Sequence, residues 1–322
     1  MRLPHAFIKL PFTFDAGVLA EEIGRLPSGA WMDHPSGMAG NSAAALVSHH
    51  GGDNDDFGGP MAATPHLHQS PYHQQVMTSF GEVLSRSRLM KLAGGNEVAA
   101  HVDFNYHWYS RLRVHVPVIT NPDVIFHCAD QQVHMTAGDC WIFDSWRWHK
   151  VVNASDEDRV HLVIDLSGSS RFWKMVRETV ATNESPVEPA FVGFDPDREV
   201  ELRLERFNTA PVMAPGELEA ITRGIIQDFE SCPENPPELV HHYRELLLDF
   251  GRDWRELWYL HGQQPDGWPH YRALLQRTQQ QLHPDRRALV TASNHVGVNP
   301  IIVQRILRPA LATELYDDFV TR

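Results

Sequence analysis

Two patterns predict a mainly β fold with helices, in which a sandwich, barrel or jelly-roll domain is followed by a smaller α-helical C-terminal part. Between Arg88 and Leu166, β-forming runs are broken every few residues by Gly, Asn, Asp or Pro. Beyond Pro215, three segments carry apolar residues at three-to-four spacing. The 322 residues suffice for one large domain with an appendage or for two domains. The change of character places a β domain at 1–177, a linker or surface strap at 178–214 and a helical domain at 215–322.

The elements follow in order. "FIKLPFTFD" alternates as a strand does, and "DAGVLAEEIGRL" from Asp15 begins with an N-cap residue and continues with helical spacing. Residues 41–60, "NSAAALVSHHGGDNDDFGGP", read as a short apolar piece and then a long loop, either a lid or a surface insertion. "SPYHQQVMTSFGEVLSRS" from Ser70 is helix-like. Strand-like runs come next: "RLMKLAGG", "EVAAHVDF", "RLRVHVPVIT", "VIFHCA", "QQVHMTAGD", "CWIFD", "HKVVNAS" and "RVHLVIDL". The acidic-to-proline junctions of 178–200 carry little periodicity. "GELEAITRGIIQDFE", "ELVHHYRELLLDFGRDW" and "YRALLQRTQQQL" then read as helices; the stripe in the second is a core or dimer face, which leaves a homodimer open.

A hydrophobic share of 42% with 21% charged residues is that of a globular protein. The net charge of −13 argues against nucleic acid or an anionic membrane as the partner, since both require concentrated positive charge. Cys128, Cys140 and Cys232 lie far apart and form no CxxC pair, so neither a disulfide framework nor a structural zinc knot is expected. With no signal-like or spanning apolar run, a cytoplasmic location fits best.

The 20 histidines are the unusual feature. Residues i and i+2 of a strand share a face, so His101 and Asp103 can reach one ion. A second histidine joined to such a pair makes the 2-His-1-carboxylate set that holds ferrous iron on one face and leaves other positions open. His149, after the strand "CWIFD" and a short turn, is the candidate. Arg113 and His115 are likewise two apart, and Arg159 shares a face with His161, Val163 and Asp165. Arginines in apolar strands are costly unless they bind an anion, and a dicarboxylate beside the metal would suit the guanidinium fork. Phe104, His107, Trp108, Tyr109, Trp146 and Trp148 are candidates for an aromatic substrate pocket or its rim. His127, His134, His161 and the loop pair His49 and His50 lack a comparable pattern and read as structural or solvated.

The order HxD, "RLRVHVPV", "AGDCWIFD", "WHKVVN", "RVHLVIDL" resembles the aspartyl/asparaginyl β-hydroxylase family of iron(II)/2-oxoglutarate dioxygenases, and within it the bacterial free L-proline cis-hydroxylases. The resemblance spans roughly residues 85–168. It implies a double-stranded β-helix, Fe(II) held by His101, Asp103 and His149, 2-oxoglutarate contacted by Arg113 and His115 with its far carboxylate on Arg159, and O2 as oxidant. The implied reaction hydroxylates a free amino acid, amino-acid derivative or small peptide and releases succinate and CO2. Animal members that act on Asp or Asn residues of proteins have glycine where this chain has Asp103, which weakens that alternative. The aspartate also argues against halogenation. A metal-binding jelly roll without oxidative chemistry is the remaining alternative, and an arginine at position 159 speaks against it.

Overall fold

The computed structural model describes residues 2–35, 37–181 and 188–320. Positions 182–187 of the expected strap lie outside the described residues. The chain forms two compact units, one of residues 1–102 and 110–206, the other of residues 103–109 and 207–322.

The first unit contains thirteen strands among the described residues. They are β1 (Phe7–Phe14), β2 (Met32–Asp33), β3 (Asn41–His49), β4 (Met61–Ala63), β5 (Leu84–Leu92), β6 (Glu97–His101), β7 (Leu112–Ile119), β8 (Val124–Cys128), β9 (Gln131–Val133), β10 (Asp139–Phe143), β11 (His149–Asn153), β12 (Arg159–Leu166) and β13 (Ala190–Val192). The larger sheet runs β13-β1-β10-β7-β12-β5-β3-β2, with β4 on β3, and the smaller runs β6-β11-β8-β9. All pairings are antiparallel except β1 with β13. This interleaved order, with consecutive strands passing between two facing sheets, is the expected double-stranded β-helix.

Strand periodicity divides the larger sheet into two chemically different faces. On one face Leu112, Val114, Val116 and Val118 of β7 and Val160, Leu162, Ile164 and Leu166 of β12 join the main apolar core. Helices Ala16–Gly24, Pro71–Thr78 and Ser170–Ala181 supply Leu19, Ile23, Tyr72, Val76, Met77, Phe172 and Val176 to that core. Each such side chain, fully buried, is worth about 1.5–3 kcal/mol. The other face meets the smaller sheet across a second cluster of Leu92, Val124, Phe126, Met135 and Val151. It also carries Arg86, Arg88, Arg113, His115, Arg159, His161 and Asp165. All eight residues of β12 are buried, so its polar residues face the interior between the sheets.

Two local outcomes differ from the sequence expectation. The apolar piece before the loop is the nine-residue strand β3, almost wholly buried beside β5, so the loop proper is confined to 50–60. Its alanines give no alternating signal because both faces of β3 are covered. The helix-like stretch from Ser70 ends at Thr78, and "LSRS" opens β5. Gly138, before β10, has φ +81°, and a β-carbon there would stand 2.3 Å from the Phe14 carbonyl oxygen. Only glycine allows β1 and this turn to approach so closely.

In the second unit, helix Pro215–Glu230 packs Leu218, Ile221, Ile225 and Phe229 near Tyr243, Leu247, Phe250 and Trp254 of helix Pro237–His261. The ring of Tyr271, on helix Trp268–Gln280, lies 4.6 Å from that of Trp254 at a tilt of 50°, and the Trp254 indole N–H donates to the Met213 carbonyl at 2.9 Å. No helix among the described residues is long and apolar enough to cross a membrane.

Candidate active site

β11 is central in the smaller sheet, and its register sets His149 opposite His101 at the end of β6. The two rings lie 4.2 Å apart at 54°. Each imidazole is oriented by its own strand, His101 Nδ1 on the Ala99 carbonyl at 2.8 Å and His149 Nδ1 on the Arg147 carbonyl at 2.9 Å. A carbonyl only accepts, so the tautomer compatible with both contacts has the proton on Nδ1 and the lone pair on Nε2, as in metal-ligating histidines. Asp103 is two residues along the chain from His101. His101, Asp103 and His149 each offer one ligand atom, all within 4.8 Å of one another. Two imidazole nitrogens and one carboxylate suit ferrous iron with positions left open.

From His149 a series of rings leads into the space between the sheets. Phe143 lies 4.9 Å from His149 and 5.2 Å from His115, His115 lies 5.8 Å from His161, and Phe126 stacks on His161 at 5.2 Å. The Arg159 guanidinium sits 5.0 Å over the Phe126 ring. Arg159 is 4% exposed, and no carboxylate among the described residues pairs with it. Its Nε and both ring nitrogens of His115 and His161 are buried without a hydrogen-bond partner. Burial pulls Arg159 down to about 9, which still leaves it charged at neutral pH. Burial first, then neighbouring arginines, pushes His115 far below its ordinary value; burial and then Arg159 do the same to His161. One cation and two neutral rings able to donate are thus gathered where no described residue accepts a hydrogen bond from Arg159 Nε or from either ring. A buried cation in this condition is costly, and an anionic ligand would offset that cost.

Arg113 has a partner that the sequence reading did not supply, Asp165 Oδ1 at 3.2 Å. It belongs to a second charged group in which Asp55, from the 50–60 loop, accepts from Arg86 at 2.8 Å and from Arg88. Arg86 Nε also lies 3.8 Å from Asp165, and its guanidinium covers the Phe57 ring at 3.9 Å. Three guanidinium groups face two carboxylates. Burial, then Arg86, lowers Arg88 to about 9, while His34 at the edge is pushed down to about 4 by burial and then by Arg88.

The aromatic candidates divide. Trp146 is buried in the first unit beneath the Arg2 guanidinium, 5.3 Å away, and Trp148 is 45% exposed. Phe104, His107, Trp108 and Tyr109 group with the helical unit, where the Phe104 carbonyl accepts from Arg305 at 3.0 Å and Arg305 lies 5.7 Å from the Tyr109 ring. Arg86 and a site role for His161 were not singled out by residue-by-residue reading, and Arg88 and Asp55 stood among charged residues, with Arg111, Asp53, Asp56 and Glu97, between which pattern does not choose a substrate's charge partners. For His161 a signal was present, the shared strand face with Arg159; for Asp55 there was none, because a loop residue has no periodicity.

Residues 60–168 match the aspartyl/asparaginyl β-hydroxylase family. The matched stretch holds all three members of the His-Asp-His set and Arg159. The chain is 29% identical over 163 residues to an L-proline cis-3-hydroxylase from Streptomyces sp, covering 47% of this chain and 52% of that protein. It is 26% identical over 184 residues to an L-proline cis-4-hydroxylase from Rhizobium meliloti, covering 53% of this chain and 65% of the relative. The chain thus spans about half to two thirds of the length of these relatives. Among solved structures, a 2OG-Fe(II) oxygenase family protein from Burkholderia pseudomallei aligns with TM-score 0.37 and 14% identity, over 52% of this chain and 87% of that one. A Pseudomonas putida prolyl-4-hydroxylase aligns with TM-score 0.35 and 12% identity, over 52% and 95%.

Proposed function

We propose that this chain is an iron(II)- and 2-oxoglutarate-dependent dioxygenase that hydroxylates an unactivated C–H of a free amino acid, an amino-acid derivative or a small peptide. One observation carries the reading: a two-histidine, one-carboxylate donor set and a buried, uncompensated arginine are joined by a single series of rings. A hydrolytic metal site has no use for such a cation, whereas a co-substrate with a carboxylate at each end needs both.

His101, Asp103 and His149 would hold the iron, which supplies the activation of dioxygen when bound. Arg159 receives the far carboxylate of 2-oxoglutarate, and His115 and His161, kept neutral by burial, donate to the same molecule without adding charge. Phe126 and Phe143 keep water from the reacting centre. The group of Arg86, Arg88 and Arg113 with Asp55 and Asp165 suits an amino acid, its carboxylate meeting a guanidinium and its ammonium an aspartate. Arg111, by contrast, is committed to a bidentate pair with Glu205 at 2.9 Å.

The test is succinate formation by anaerobically iron-loaded protein given oxygen and 2-oxoglutarate, alone and with a panel headed by L-proline and including N-acylated amino acids and short Asp- or Asn-containing peptides. Stimulation by one class names the substrate type. Iron demonstrably bound with no succinate under any condition would overturn the proposal. His149→Ala should abolish turnover; full activity in that variant would remove His149 from the set.

A further inference from the structure

The helical unit brings together a second group of metal-ligating side chains that the sequence does not advertise. Cys232, Glu234 and His295 each offer one ligand atom, and the three atoms lie within 4.8 Å of one another. Cys232 is 4% exposed, just beyond helix Pro215–Glu230, while Glu234 and His295 stand at the rim with exposures of 71% and 56%. His295 Nδ1 is 3.8 Å from Glu234 Oε2, where two ligands of a tetrahedral zinc ion with bonds of about 2.1 Å would be roughly 3.4 Å apart. For this pair a shift of a few tenths of an ångström suffices, and the Cys232 sulfur lies within 4.8 Å of both atoms.

The two loops that carry these ligands are tied to one another. The Asn235 side chain donates to the carbonyls of Phe229 and Val290, both at 2.8 Å, and accepts from the Val290 N–H at 2.9 Å. Asp228, from the preceding helix, accepts from the Ser293 N–H at 3.0 Å and from its hydroxyl at 2.6 Å. Thr291 and Asn294 close the turn onto Val296, and His295 itself is held at φ +53°, a backbone conformation few non-glycine residues adopt. Ligands held by supporting hydrogen bonds lose little freedom on binding an ion.

We propose that Cys232, Glu234 and His295 form a site for a divalent ion of the zinc class, which clips loop 231–236 to loop 290–297 and is independent of the oxygenase reading. A thiolate, an imidazole and a carboxylate favour a borderline ion over calcium or magnesium, which take oxygen ligands. Three protein ligands leave the fourth position to water, and the Cys232 thiol proton passes to solvent as the sulfur–metal bond forms. The spacing explains its absence from the sequence reading, since one cysteine and a distant histidine match no finger or knuckle pattern.

The test is titration of the apo full-length chain with cobalt(II) alone, followed by absorption. Two equivalents are expected, one of them with a thiolate-to-cobalt charge-transfer band that a site of two imidazoles and a carboxylate cannot produce. Cys232→Ser should lose the band. Glu234→Gln and His295→Asn, both at exposed positions and the latter compatible with a left-handed backbone, should each weaken the band-forming site at least tenfold and leave the other equivalent in place. His149→Ala should do the reverse. Absence of the band in the unmodified chain, or unchanged affinity in both surface variants, would overturn the proposal.

Discussion

Arg159 shows how a single side chain can cost stability and direct function together. Its charge is buried with no acidic partner among the described residues, so Arg159→Met should raise the apparent KM for 2-oxoglutarate by about 30-fold or more, a buried charged pair being worth roughly 2–5 kcal/mol. The same variant without ligand should melt no lower than the parent, because an apolar side chain of similar length removes an unsatisfied cation. Steady-state kinetics and a thermal melt read the two effects separately. His161→Leu should raise the KM for 2-oxoglutarate several-fold and leave that of the prime substrate unchanged; the opposite pattern would move His161 to the substrate side. At this scale strand alternation made the pairing of Arg159 with His161 legible, whereas Asp103 stands two residues past the end of β6, so its place beside His101 comes from the turn that follows the strand and not from the shared strand face that the spacing predicts. The partners of Arg113 and Arg88 were not legible, since Asp165 and Asp55 reach them only through the folded register and a loop.

Among the elements, the 50–60 loop has the clearest dependence on one contact. Asp55 reaches both Arg86 and Arg88, so Asp55→Asn should loosen the loop over the three-arginine group. Faster hydrogen exchange confined to residues 50–60, with β3 and β5 unchanged, is the expected result; unchanged exchange would show that Phe57 under Arg86 suffices to hold it. The strands were readable where one face is apolar and the other polar, as in β7 and β12. They were obscured where burial is continuous, as in β3, or where a helical pattern runs into a strand, as at the start of β5. The register opposing His149 to His101 is a long-range pairing that local spacing does not determine.

For the whole molecule, the buried histidines set a pH dependence with a definite sign. His115 and His161 lie well below their ordinary value and His34 near 4, whereas in the unfolded chain all three titrate near 6.5. The folded protein therefore binds fewer protons than the unfolded chain below that pH, and stability falls as pH drops from about 6.5 toward 4. Glu22, whose carboxylate is lowered by its bonds to His73 and Tyr72 despite burial, adds a further loss only below about 4.5. Chemical denaturation between pH 7.5 and 5 should show the midpoint declining with acidity, and His161→Phe should flatten part of that slope.

The larger sheet, greasy on one side and charged on the other, separates what keeps the protein folded from what chooses its ligand. Exchanges on the inner face leave the side chains packed beneath the helices in place: replacing His161 removes a buried ring without hydrogen-bond partners, whereas replacing Arg86, Arg88 or Arg113 calls for a matching change at Asp55 or Asp165, so that no carboxylate is left unpaired. Selectivity in such an architecture is cheap to revise. A descendant or a designer can try new charge pairs on the inner face while the outer face preserves the scaffold, and variants with altered preference should arise without compensating mutations in the core beneath the helices.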